Sequence, residues 1–306
     1  MSAACCDELS VAALAAELAA AGAAAGVPLP DAGKLLVFDE IDSTNAELLR
    51  RLASAGNLHE ADGSLSAAGK DMHLLLAAAS TQTAGRGRVG RKFYSPAGNG
   101  IYFSFVHVPR GAVTDPAAYT AGAAVAVCRA VEALFGVTAQ IKWVNDVYVR
   151  GKKVCGILTE GFSAPGSGRI EAAVVGIGIN IHADPSLPPE LAQKAGGILA
   201  DGDASSVTRS RLLARCLAEL FLLLGEGAGS SGADSAAAAV PAIDEYRRRS
   251  LLTGRNVIVS AIADDRASQY EARVLSVTDD AGLLVQLADG SQRVLRSGEV
   301  TLHSGN

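Results

Sequence analysis

The sequence is poor in aromatic side chains, in positive charge and in cysteine, and its five histidines are scattered. With aromatics at 5% and hydrophobic residues at 49%, the core falls to Ala, Val, Leu and Ile. A formal net charge of -5 argues against a general nucleic-acid binder, which carries a basic excess. It does not argue against a nucleotide, which a local basic cluster can hold. The cysteines are Cys5, Cys6, Cys128, Cys155 and Cys216. None has the spacing of a zinc knuckle or a redox pair, and the odd count speaks against a disulfide framework. No metal centre is predicted, and a reduced, cytoplasmic setting is the simplest expectation. No basic residue precedes Lys34, so the flank of a secretory signal and the arginines of a transit peptide are missing. The apolar stretch from Val11 to Val27 is expected to be an Ala-rich helix, on the surface of the main domain or appended to it. No run is read as a membrane span.

With 306 residues, of which 19% are charged, the chain can form one large domain and a small one. Three units are expected: an N-terminal extension over 1–34, a main domain over 35–252 and a small β-barrel over 253–306. Residues 35–41 (LLVFDEI) read as a first strand, followed by a helix in which Thr44 and Glu47 have capping-box spacing. Asn57 to Lys70 is polar and reads as a loop or insertion. A buried strand over 74–79 leads into TQTAGRGRVGRK, and Ile101 to Val106 alternates as a strand does. Asp115, Pro116 and Gly136 bracket a long helix. IKW, VYV and KVCGILTE follow, the last two joined by a turn at Arg150-Gly151, and then a mostly buried strand from Ile170 to Asn180. Helices are expected over 208–224 and 237–249, with a low-complexity loop between them. The last fifty residues read as short strands.

The chemistry concentrates in four segments. In Gly85-Arg86-Gly87-Arg88-Val89-Gly90-Arg91-Lys92 the glycines permit close backbone approach to an anion, and arginine grips carboxylate or phosphate bidentately. On charge alone, a solvated basic loop, an RG-type RNA contact and a nucleotide loop all remain open. The segment lacks the Gly-Lys-Ser/Thr ending of a P-loop and the trailing acidic residue of a dinucleotide fingerprint. Lys142-Trp143-Val144-Asn145-Asp146 places an amide and a carboxylate at a strand end, or simply a surface ion pair. Lys153 opens an apolar strand, as an edge gatekeeper also would. Gly176 and Gly178, inside a strand, mark close approach of a ligand or of another backbone.

Taken together and in order, DEIDSTN, QTAGRGRVGRK, KWVNDV, KVCGIL and GIGIN resemble the catalytic domain of biotin protein ligases, also called holocarboxylase synthetases. SGEVTL near the C-terminus is similar to the end of that family's small barrel. The resemblance covers roughly residues 35 to 303. It implies an α+β fold, a mixed β-sheet flanked by helices and followed by an SH3-like β-barrel. It implies adenylation of biotin by ATP with Mg2+, and then transfer to a lysine on the biotin carrier domain of a carboxylase.

By the same resemblance, Ser43, Thr44, Asn45, Gln82, Gly85, Arg86, Gly87, Arg88, Lys153 and Gly156 would surround biotin. Arg88, Arg91, Lys92, Phe93, Asn145 and Asn180 would face the nucleotide. Lys153, Arg86 and Asp146 would carry the chemistry, with Asp146 orienting the incoming amine. Phe93 stands where the family often has Trp, and Val144 where it has Pro. Some 34 Ala-rich residues without basic side chains do not make a helix-turn-helix, so no DNA partner is expected and no membrane partner; a homodimer is left open. Lipoate and octanoate ligases share the fold, but their Gly-Gly-Gly and His-Asp motif is not found.

Overall fold

In a computed structural model the described residues are 9–110, 112–113, 115–200, 203–225, 240–260 and 269–302. The expected low-complexity loop lies almost wholly outside them.

Seven strands build the main sheet: β1 (Leu35–Ile41), β2 (Leu76–Gln82), β3 (Gly100–His107), β4 (Ala139–Lys142), β5 (Asp146–Val149), β6 (Lys152–Phe162) and β7 (Ala172–Asn180). Their spatial order is β1-β2-β3-β7-β6-β5-β4. Only β1 and β2 run parallel, so the sheet is mixed. Arg150 and Gly151, both at positive φ, form the β5–β6 hairpin turn that the sequence indicates.

One face is covered by α4 (Pro116–Phe135) and the helices gathered around it. Asp115 caps α4 at one end and Gly136, in the left-handed region, at the other. Its length and composition would suit a membrane span, yet 67% of its most apolar window is buried inside the protein. Packing with neighbours, rather than with lipid, accounts for its apolar surface. α6 (Arg209–Leu223) and α7 (Val240–Arg248) pack on it and α1 (Val11–Ala25) packs on α6, while the short α5 (Pro189–Ala192) follows β7. Leu14 and Leu18 of α1 are fully buried in the core that this layer shares with the sheet.

The opposite face holds α2 (Thr44–Ser54), whose Leu48 and Leu52 pack on Ala77, Val106 and Val174. Two corrections to the sequence reading arise here. Ser43, in extended conformation, caps α2 by accepting from Ala46 N–H, and Thr44 is already helical, which frees its hydroxyl for the sheet. The polar segment 57–70 is loop through residue 66, as expected, but its end is helical. Ser66 caps a helix, α3 (Ala67–Met72), and Leu58 is fully buried beneath α2. A six-residue helix is too short to show a period, so its pattern reads as loop. The expected alternation of β3 also fails: all eight residues are buried, because both faces of this central strand are covered.

The second sheet is antiparallel, with order β11-β10-β9-β8-β12: β8 (Asn256–Ser260), β9 (Tyr270–Val277), β10 (Leu283–Gln286), β11 (Gln292–Leu295) and β12 (Glu299–Leu302). It docks against the main domain where Trp143 Nε1–H donates to Ala281 O at 2.8 Å and Arg247 to Val277 O at 2.6 Å. The Trp143–Val144 peptide at this junction is cis.

Candidate active site

Because side chains alternate along a strand, Ala172, Val174, Gly176 and Gly178 of β7 share one face. The first two are buried in the α2 core; the glycines then leave a cleft beyond it. A Cβ at Gly176 would stand 2.0 Å from Asn45 Oδ1. At Gly178 it would stand 2.4 Å from the Phe93 ring, and at Gly156, the register partner on β6, 2.8 Å from the same ring. The glycines are needed because an amide and an aromatic ring lie directly on the sheet. The cavity above this floor has a volume of about 160 Å³.

At the β1–β2 end, the start of α2 supplies a polar wall. Thr44 N–H donates to Gln82 Oε1 at 2.9 Å, and the Thr44 hydroxyl lies 2.7 Å from the Ser104 hydroxyl. Ser104 donates to Asn45 Oδ1 at 2.5 Å, while Asn45 Nδ2 donates to Glu160 at 2.9 Å and to Leu158 O at 3.2 Å. Gln82 Nε2 donates to Ser95 at 3.0 Å. Every polar end of Asn45 is therefore held inside the protein, so it anchors α2 to the sheet as much as it lines the cleft.

The glycine-rich segment folds back on itself. Gly87 N–H donates to Arg91 O at 2.7 Å and Phe93 N–H to Gly85 O at 2.9 Å, around a tight turn at Arg88–Gly90. Arg86 meets Glu160 at 3.1 Å, and Arg88 donates to Asn145 Oδ1 at 3.4 Å. Arg91 donates through both terminal nitrogens to the two carboxylate oxygens of Glu299. Asn145 Nδ2 is tied to Ile157 O at 2.8 Å, so the amide facing Arg88 is fixed in direction.

On the far side, Lys153 Nζ lies 2.5 Å from Asp146 Oδ1, close as an ion pair though not aligned as a hydrogen bond. Lys142 lines the cleft beside them. Burial pushes its ammonium below the ordinary lysine value, against the pull of the Asp146 and Glu299 carboxylates. Burial likewise lowers Arg88. Six basic side chains, Arg86, Arg88, Arg91, Lys92, Lys142 and Lys153, line the cleft against two acidic ones, Asp146 and Glu299. Such a site suits an anionic ligand.

Of the residues singled out in the sequence, Ser43, Thr44, Asn45, Gln82, Arg86, Gly87, Arg88, Arg91, Lys92, Phe93, Asn145, Asp146, Lys153 and Gly156 line this cleft together. Gly85 and Asn180 do not. Gly85 is buried under the loop, where a Cβ would stand 2.3 Å from Phe93 O; Asn180 closes β7, its carbonyl accepting from Ile198 N–H. Lys142, Trp143 and the barrel residues Gly298, Glu299 and Val300 also line the cleft without having been assigned a role from the sequence. Lys142 belongs to the KWVNDV motif and Glu299 to SGEVTL, but the pairing of Glu299 with Arg91, more than two hundred residues away, has no local signal.

Residues 66–180 match the Biotin/lipoate A/B protein ligase family. A biotin--[acetyl-CoA-carboxylase] ligase of Mycobacterium tuberculosis is 30% identical over 271 residues, covering 87% of this chain and 88% of that protein. This chain belongs to the biotin protein ligase family. The bifunctional ligase/repressor BirA of Bacillus spizizenii is 31% identical over 185 residues, 60% of this chain and 52% of its own. The chain thus spans about half the length of the BirA relatives it matches. In fold it is similar to a biotin protein ligase from Aquifex aeolicus solved in complex with biotin and ATP. The TM-score is 0.61 at 23% identity, over 88% of this chain and 98% of that one.

Proposed function

We propose that this chain is an ATP-dependent biotin protein ligase. In the first step a biotin carboxylate oxygen would attack the α-phosphorus of ATP, and the bond to the β-phosphate would break with release of pyrophosphate. In the second, the ε-amine of an acceptor lysine would attack the acyl carbon of biotinyl-AMP, lose a proton and expel AMP. The acceptor on this reading is the biotin carrier domain of a carboxylase.

One observation carries the reading: the arginine loop and the Lys153–Asp146 pair converge over a glycine floor whose other end is the Thr44–Gln82 wall. An uncharged bicyclic amide with an acidic tail suits such a cleft. Its ureido group would meet Ser43, Thr44 and Gln82, and its carboxylate would lie toward Lys153 and Arg86. Biotin entering over Gly156 and Gly178 displaces the Phe93 ring, which is then available to stack on adenine. Arg88 and Arg91 would meet phosphoryl oxygens, fixed donors aimed at charge that develops in the transition state. Asp146, already beside an ammonium, would orient the incoming lysine, which must lose a proton to attack.

Among the described residues no group of three His, Cys, Asp or Glu could hold a metal, and both acidic lining residues are engaged by cations. On this reading Mg2+ would travel with ATP as part of the substrate. The helix ahead of β1 carries no Lys or Arg, which supports a reading without operator DNA.

The test is mass spectrometry for acyl-AMP after incubating the protein with MgATP and biotin, lipoate or octanoate in parallel. Biotinyl-AMP alone is expected. Lipoyl- or octanoyl-AMP would move the chain to the sister activity, and no adduct with any acid would end the ligase reading.

A further inference from the structure

Lys142 is the one half-buried cation of the cleft that makes neither a hydrogen bond nor an ion pair among the described residues. Arg88 donates to Asn145, and Lys153 faces Asp146. The two carboxylates that act on Lys142 from a distance, Asp146 and Glu299, are already taken by Lys153 and Arg91. Removing an amine from water without giving it a partner is costly, and burial accordingly favours its neutral form. An arriving anion would remove that cost.

The register says which part of a ligand reaches it. Lys142, Asp146, Gly156 and Gly178 are successive partners across β4, β5, β6 and β7. At about 4.8 Å per strand, Lys142 stands roughly 14 Å from Gly178. The Thr44–Gln82 wall lies at the opposite end of that row, beside β2. A ligand whose ring is held at the wall and whose acyl end reaches Lys153 presents its phosphate chain toward β4 and the barrel.

We propose that Lys142 binds the pyrophosphate half of the nucleotide. This rests on the ligase reading above. During adenylation the carboxylate oxygen bonds to the α-phosphorus and the electron pair of the breaking bond passes to the β-phosphate oxygen. Lys142 meets that growing negative charge and holds the product until pyrophosphate leaves. Once it has left, biotinyl-AMP no longer touches Lys142.

Titration calorimetry of MgATP, Mg-pyrophosphate and biotinyl-AMP into the wild type, Lys142→Met and Lys142→Arg tests this. Loss of one charge-assisted contact should weaken ATP and pyrophosphate by about tenfold or more in the Met variant. Biotinyl-AMP affinity, and transfer from preformed biotinyl-AMP to the acceptor, should stay within about twofold, since no contact with that ligand is lost. Lys142→Arg should recover most of the pyrophosphate affinity. In the unmutated protein, pyrophosphate should also protect Lys142 from a lysine-acylating reagent, a readout independent of how the variants fold. Unchanged pyrophosphate affinity, absence of protection, or a transfer rate that falls as far as ATP affinity would overturn the proposal. A wild type that binds ATP but makes no acyl-AMP would end the ligase reading, while the pyrophosphate arms would still decide Lys142.

Discussion

Arg91 of the glycine-rich loop and Glu299 of the C-terminal barrel are joined by two hydrogen bonds across 208 residues of sequence. The pair fastens the loop that covers the cleft to a unit outside the main sheet. Both side chains are partly exposed, at 48% and 32%, so the bond contributes at most about 1 kcal/mol to stability. Its consequence is expected in the loop. Glu299→Gln should leave the melting temperature nearly unchanged and raise the rate at which biotinyl-AMP escapes, since an unfastened loop opens more often. Chromatographic detection of free biotinyl-AMP checks this; equal leakage from both proteins would show that the barrel does not restrain the loop.

Arg86→Ala should also increase released biotinyl-AMP, even where synthesis persists. Arg86 is exposed at the rim and held by Glu160, so its removal opens the cleft without disturbing the core. Glu160→Gln should reproduce part of the effect by freeing the guanidinium. Burst and leakage assays on both variants separate retention from synthesis.

Lys153→Ala should depress adenylation itself by about 10²–10³ in rate, the usual scale for removing one preorganised donor. The same change leaves Asp146 Oδ1, a buried oxygen with no hydrogen-bond partner, without its neighbouring cation. Wild-type pyrophosphate exchange in this variant would remove Lys153 from the chemistry.

Gly176→Ala should cost stability. Its Cβ would meet Asn45 Oδ1 at 2.0 Å, and Asn45 is bound on every side, so α2 must shift; overpacking of this kind costs about 1–3 kcal/mol. The atoms nearest a Cβ at Gly178 belong to the Phe93 ring, which can turn away, so Gly178→Ala should be milder. Urea unfolding of the two variants compares them, and equal midpoints would contradict the difference in their neighbours.

Acid should loosen the clasp between α4 and α7. Arg249 donates to both oxygens of Glu132, at 2.7 and 2.8 Å, and to Glu245 at 2.9 Å, and Arg129 also pairs with Glu245. Hydrogen bonds from Arg249 hold Glu132 below the ordinary glutamate value. For Glu245, burial pulls upward but the two arginines prevail, and its pKa is also lowered. A carboxylate lowered on folding contributes stability above its unfolded pKa and loses it as pH falls through the folded value. Unfolding free energy should therefore decline below about pH 4.3, and less steeply in Glu132→Gln. Parallel urea titrations across this range measure the slope.

The sequence by itself determined the strands and their turns, the caps of α4 and the glycine-rich loop with its arginines, because these follow from local dihedrals and spacing. It also determined the set of motifs that mark the family. Tertiary structure decided what no local pattern could carry. It made β3 uniformly buried, since burial on the second face depends on a helix arriving from elsewhere. It made a helix of Ala67–Met72 at the end of the polar segment and buried Leu58, at the segment's start, beneath α2. It also shifted the cap of α2 to Ser43, so that the Thr44 hydroxyl reaches Ser104 on a strand sixty residues away. The cleft itself is a product of register: strand pairing aligns Gly156 with Gly178, and Lys142 with Asp146, and the barrel then brings Glu299 to Arg91. Arg91 and Glu299, 208 residues apart, have no reason to be read as a pair until long-range packing brings them within hydrogen-bonding distance.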